Sequence, residues 1–136
     1  MILLSKILAA TGSTISIGFG IWHFFVPKIW SWYSFMDPAA EELVTAVRAI
    51  NIFFSLCLVL FGFINILFVN SSHSNRFSII VMLSATAILW VTRVILQLIY
   101  PQGSMNPLIQ YGMLSTFIFV FLCFMVSLII TVNYRS

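Results

Sequence analysis

The sequence predicts an all-α integral membrane four-helix bundle, up-down-up-down, and three observations carry that prediction. Of the 136 residues, 62% are hydrophobic and only 7% are charged, whereas soluble domains run near a quarter charged. A chain this short keeps too much surface to bury so large an apolar fraction in water, so lipid must be the solvent for much of it. The apolar residues fall into four runs, each long enough to cross about 30 Å of hydrocarbon, which takes about twenty helical residues.

The first run, 3–26, is apolar almost from the start, with Lys6 as its only early charge. It lacks a small-x-small cleavage site followed by a polar chain, and is expected to be a retained span rather than a signal peptide. Pro27 follows it. The second run, 42–69, is expected to open at Asp37-Pro38, an N-cap followed by proline at the first helical position. A polar loop, Asn70-Ser71-Ser72-His73-Ser74-Asn75, leads to the third run, 78–100, which ends at Pro101-Gln102-Gly103. Asn106-Pro107 opens the fourth, 107–132, in the same manner as the second. No composition shift or internal repeat divides the chain, so 1–136 reads as one membrane domain.

Charge sets direction and excludes some functions. Lys6, Arg76 and Arg135 fall on one side of the bundle, and Lys28 stands against Asp37, Glu41 and Glu42 on the other. The positive-inside rule then places both termini in the cytoplasm. Trp30-Ser31-Trp32-Tyr33 reads as an aromatic anchor at the outer interface. A dispersed net charge of +3 offers no patch for nucleic acid. Cys57 and Cys123 lie deep in apolar runs with no partner at metal-ligand or redox-motif spacing, and read as small buried hydrophobes.

Small and polar residues recur every three or four positions, which marks the inward faces. On the first helix these are Ala9, Gly12, Ser16, Gly20, His23 and Pro27. On the second they are Glu41, Val44, Arg48, Asn51, Ser55, Leu58, Gly62 and Asn65. The third carries Thr86, Trp90, Arg93, Gln97 and Tyr100. The fourth offers Gly112, Thr116, Phe119, Cys123 and Ser127. Alternating topology then brings His23, Arg48, Asn51, Arg93, Gln97 and Gln110 into one layer beneath the outer surface. The opposite half is expected to hold little beyond Asn65 and a few hydroxyls.

The two arginines differ in their escape routes. Arginine at a helix centre costs about 2.5–3.5 kcal/mol on insertion scales, and less toward the ends. Helical side chains lean toward the N-terminus, so Arg48 leans outward and can snorkel. Arg93 leans inward from roughly 10 Å below Tyr100. It needs a partner: Gln97 or Thr86, a glutamate (Glu41 or Glu42) reaching in, or a bound anion.

The stretch Gly20-Ile21-Trp22-His23-Phe24-Phe25-Val26-Pro27-Lys28-Ile29-Trp30, with Leu58-Val59-Leu60-Phe61-Gly62 in the second helix, resembles the DoxX-like bacterial membrane proteins. The resemblance covers the first half of the chain. It implies a small four-helix bundle in a bacterial cell membrane, in a family some of whose members accompany membrane oxidoreductase complexes. It fixes no catalytic residue here.

The residues themselves favour a binding or accessory protein over an enzyme. His23, Arg48, Asn51, Trp90, Arg93 and Gln97 are the candidate ligand-binding set, with Trp22 as a further wall. The planar fork of arginine suits an anionic lipid headgroup or the carbonyl of a quinone-like molecule. A subunit of a membrane oxidoreductase is the alternative, yet no histidine pair, C-x-x-C or mid-bilayer carboxylate supports redox chemistry, and no cofactor is indicated. A small transporter is a further alternative. Its difficulty is that the three acids lie only at a loop edge. A homodimer or a larger membrane complex is compatible with the stripes.

Overall fold

The structure is a computed structural model that describes residues 2–134. Arg135, one of the three basic residues used for orientation, lies outside them. Four long helices form the molecule: α1 (Leu3–Ile29), α2 (Glu41–Asn70), α3 (Arg76–Ile99) and α4 (Pro107–Asn133). Each is long and apolar enough to cross a membrane, so the protein is a multi-pass membrane bundle. The end carrying Leu3 and Asn133 is called the terminal end below. The other, with the α1–α2 and α3–α4 connections, is the far end.

The boundaries follow local chemistry. Asn75 caps α3 by accepting from the Ser78 amide at 2.8 Å, and Asn106 caps α4 by accepting from Leu108 at 3.0 Å, with Pro107 in the first turn. Two expectations are corrected. Asp37 does not cap α2: its carboxylate accepts from the Ala39 amide at 2.9 Å and its carbonyl from Ala40 at 3.0 Å, closing a turn that delays the helix to Glu41. Nor does α1 stop before Pro27, which is buried inside a helix that continues to Ile29. Between α1 and α2 the aromatic segment forms a short 3-10 helix, Trp32–Phe35, entered through Ser31 at φ 50°.

Packing is uneven. α1 is the hub, lying against both α2 and α4, while α2 and α3 share the smallest interface of the adjacent pairs. The α1–α2 contact depends on glycine. A Cβ at Gly20 would stand 2.9 Å from the Ser55 carbonyl oxygen, and one at Gly62 would stand 2.8 Å from that of Ser13. Close backbone approach through small residues is how helices gain packing where lipid removes the hydrophobic drive between them.

The inward faces of α1 and of α2 from Asn51 onward are as expected, with Ala9, Gly12, Ser16, Gly20, His23 and Pro27 buried on α1 and Asn51, Ser55, Leu58, Gly62 and Asn65 buried on α2. The far-end half of α4 differs. Gly112, Thr116 and Phe119 face outward, and Phe117, Val120, Cys123, Phe124, Ser127 and Thr131 face the core. Large aromatic rings fill the bundle centre there, so the small residues were a misleading guide. Tyr100 on α3 and Glu41 on α2 are also exposed.

The terminal half holds Asn65 and a few hydroxyls, as expected, and uses them to join helices. The Ser5 hydroxyl lies 2.9 Å from the hydroxyls of both Ser127 and Thr131, and Ser127 donates to the Ser5 carbonyl at 2.9 Å. Arg76 donates to the Thr131 carbonyl at 3.1 Å and to that of Val132. It thus satisfies end-of-helix acceptors that lack an intrahelical donor. Asn65 donates to Thr86 at 2.8 Å and ties α2 to α3.

The seam can be tested with two alanines. Gly62→Ala should lower stability in mixed-micelle unfolding by about 1–3 kcal/mol through overpacking. Gly18→Ala, whose Cβ would meet nothing within 4 Å, should be neutral or stabilising by up to about 1 kcal/mol.

Candidate functional site

Above the Asn65–Thr86 bond, toward the far end, α2 and α3 part and leave a cleft between them. Its inner section holds about 170 Å³ and is almost wholly apolar, lined by Phe19, Phe54, Cys57, Leu58, Leu89, Trp90, Thr92, Arg93 and Leu96. Its outer section holds about 270 Å³ and brings in His23, Trp32, Asn51 and Gln102. Phe54, Arg93 and Leu96 belong to both sections, so one continuous groove runs from the far end into the apolar depth. The rim is exposed, Leu89 by 47% and Leu96 by 43%, so the groove opens sideways to the surroundings of the bundle.

Its polar end is built by Pro27. Proline has no amide hydrogen, so the carbonyl four residues earlier, that of His23, loses its helical donor. In lipid such a group must find another. Asn51 supplies it from α2, its Nδ2 donating to the His23 carbonyl at 3.2 Å. That bond also fixes the amide, because the atom that donates must be nitrogen. The other atom, Asn51 Oδ1, is buried with no partner, and so is His23 Nδ1. The other buried atoms without partners, Ser13 Oγ and Asn65 Oδ1, belong to residues that do not line the groove.

The floor is aromatic. His23 stacks edge-on with Phe54 at 4.8 Å and lies 6.1 Å from Trp32 and 5.6 Å from Phe19. Phe19 in turn meets Phe117 at 5.1 Å, and Phe117 meets Trp90 at 5.8 Å. The Arg93 guanidinium sits 4.5 Å from the Phe117 ring centroid, a cation–π contact.

The partner of Arg93 is none of the protein groups expected. Thr86 is engaged by Asn65 and donates to the Met82 carbonyl. Gln97 is turned toward the loop, its Nε2 donating to the Gln102 carbonyl at 2.9 Å and its Oε1 accepting from the Gln102 amide at 3.4 Å. Gln102, held this way, folds back and accepts from Arg93 at 2.6 Å. Among the described residues no carboxylate pairs with Arg93, and Glu41 and Glu42 are exposed at the start of α2.

Of the six candidate binding residues, His23, Asn51, Trp90 and Arg93 line the groove, and Gln97 supports it through Gln102. Arg48 does not join them: it is exposed and stacks 5.3 Å from the Tyr33 centroid. The snorkelling geometry accounts for this, since its side chain leans toward the helix N-terminus and away from the groove. Trp22 turns the other way, against Trp30 and the α1–α4 side. Trp32 and Gln102 were missed. The aromatic run reads only as an interfacial anchor, and Pro101-Gln102-Gly103 reads only as the end of the third run. Cys57 lines the inner section and is a free thiol. Among the described residues no group of three or more His, Cys, Asp or Glu is gathered as a metal site.

The support given by Gln97 predicts a local effect. Gln97→Leu should accelerate hydrogen exchange at the Gln102 amide roughly fivefold, the equivalent of about 1 kcal/mol for one lost hydrogen bond, and leave exchange in α1 unchanged. Amide exchange read by mass spectrometry in detergent would measure it.

Comparison with protein families, with characterised proteins and with solved structures finds no match for this chain.

Proposed function

We propose that this protein is a small membrane binding or accessory protein that holds one amphiphile in the α2–α3 groove. The observation that carries the reading is Arg93: a half-buried cation in a lateral groove, satisfied by one neutral amide and one ring, with no carboxylate beside it among the described residues. A charge placed within a span is a functional site by default. A guanidinium presents five donors in a planar fork, and Gln102 takes one position on it. The remaining donors suit an anionic lipid headgroup or the carbonyl oxygen of a quinone-like molecule. The apolar inner section beneath, lined by Phe54, Cys57, Leu58, Leu89 and Trp90, suits the tail.

The far end would face away from the cytoplasm, because all three acids, Asp37, Glu41 and Glu42, stand there against Lys28, while Lys6 and Arg76 at the terminal end have no acid near them in the sequence. The amphiphile would then be held in the outer leaflet of a bacterial cell membrane. The likeness of α1 to DoxX-like chains supports that setting. Binding or assembly is favoured over turnover, since among the described residues His23 is the sole imidazole lining the groove and no carboxylate lines it.

Native mass spectrometry of protein extracted gently from its membrane tests this. Wild type should carry one retained amphiphile. Arg93→Leu should lose at least tenfold of it, as expected for removing a charged hydrogen-bond partner worth about 1.5–3 kcal/mol. Arg48→Leu should retain it. Equal retention by Arg93→Leu and wild type would refute the site.

A further inference from the structure

Two features of the groove's polar end ask for different things from one headgroup. Arg93 offers donors and positive charge, and so selects an anion. Asn51 offers the reverse. Its Nδ2 is committed to the His23 carbonyl at 3.2 Å, so its free atom is the carbonyl oxygen, which is an acceptor only. Asn51 is 6% exposed and His23 is 8% exposed. Both are therefore more than nine-tenths buried, each has an unpaired polar atom, and both line the outer section together with Arg93. A buried acceptor left without a donor costs about as much as a lost hydrogen bond, and native structures rarely leave one.

We infer that the ligand is a phospholipid whose headgroup joins an anionic phosphodiester to a free hydroxyl. The phosphodiester accepts from Arg93. The hydroxyl donates to Asn51 Oδ1, and its oxygen can in turn accept from His23 when the Nδ1 proton is present. A fatty-acid carboxylate supplies the anion without the donor. A neutral quinol supplies the donor without the anion. Zwitterionic choline lipid supplies no hydroxyl and brings a second cation toward Arg93. An ethanolamine head could donate its ammonium to Asn51 but, like choline, brings a second cation toward Arg93, so of these heads the hydroxylated anionic one fits the pair best. The inference rests on the reading of the groove as an amphiphile site and narrows it to one class.

Synthetic headgroups separate the two requirements. Delipidated protein would be reconstituted in nanodiscs containing equal parts of phosphatidylglycerol, phosphatidylmethanol and phosphatidylcholine of matched chains. The lipid retained after release would then be identified by native mass spectrometry. Phosphatidylmethanol carries the same charge as phosphatidylglycerol and lacks the hydroxyl. Phosphatidylglycerol should be retained roughly fivefold or more over phosphatidylmethanol, the factor expected for one buried hydrogen bond, and both should exceed phosphatidylcholine. Asn51→Ala should bring the two anionic lipids to parity, and the wild-type comparison decides the matter even if that variant fails to fold. Parity of the anionic lipids in wild type, both above phosphatidylcholine, overturns the hydroxyl requirement and leaves the amphiphile site standing. No preference for either anion over phosphatidylcholine overturns the anionic head altogether. In a parallel nanodisc containing a benzoquinol, retention of the quinol above phosphatidylglycerol overturns the phospholipid assignment.

Discussion

At Gly20 and Gly62 the backbones of α1 and α2 stand too close to admit even a methyl group. Much else in the bundle depends on that approach. Lipid gives apolar helices no reason to prefer one another over acyl chains, so contact must come from fit and from hydrogen bonds. α2 is drawn onto α1 along most of its length. α1 is already occupied on its other side by α4, where Gly12 admits Cys123 and Phe124. α3 is left to pack mainly on α4. Its link to α2 is the Asn65–Thr86 bond near the terminal end, and beyond that point the two helices separate. The groove is thus a consequence of where the glycines are.

The polar end of the groove follows from a second constraint, the missing amide of Pro27. A proline inside a span frees a carbonyl, and hydrocarbon does not tolerate a free carbonyl. Asn51 answers it across the α1–α2 seam. One side chain thereby does two things: it repairs the helix and presents its oxygen to the groove. Trp32 closes over His23, and Gln102 comes down on Arg93 from the opposite connection. Two loops and three helices therefore meet around a few polar atoms, each positioned by the chain's need to satisfy its own backbone.

Much of this was legible in the residues. Four runs of apolar sequence give four helices, and the three-and-four spacing of α1 and of α2 past Asn51 marks the buried faces residue by residue. The convergence of His23, Asn51 and Arg93 follows from alternating direction alone. Three things were not legible, each for a physical reason. Small residues mark a seam only if the neighbouring helix comes close, and at Gly112 nothing does, so the aromatic face of α4 turned inward instead. Helix direction predicts that Arg48 snorkels and Arg93 leans inward, but the contact with Tyr33 that takes Arg48 off the groove involves a loop residue, on which helical periodicity is silent. Gln102 acts through a chain reversal after Pro101, and helical periodicity carries no information about side chains beyond the helix end.

The hydroxyl cluster at the terminal end has a consequence of a different kind, for the order of assembly. Ser5 and Ser127 are 122 residues apart in the chain and touch through 2.9 Å contacts in the fold. α1 enters the membrane first and α4 last of the four. The α1–α2 hairpin can close through its glycines as soon as α2 is inserted, but the surface of α1 that holds Ser5, Ala9 and Gly12 stays unpaired until α4 follows. Docking of α4 then brings Ser127 and Thr131 onto Ser5 and gives Arg76 its carbonyl acceptors.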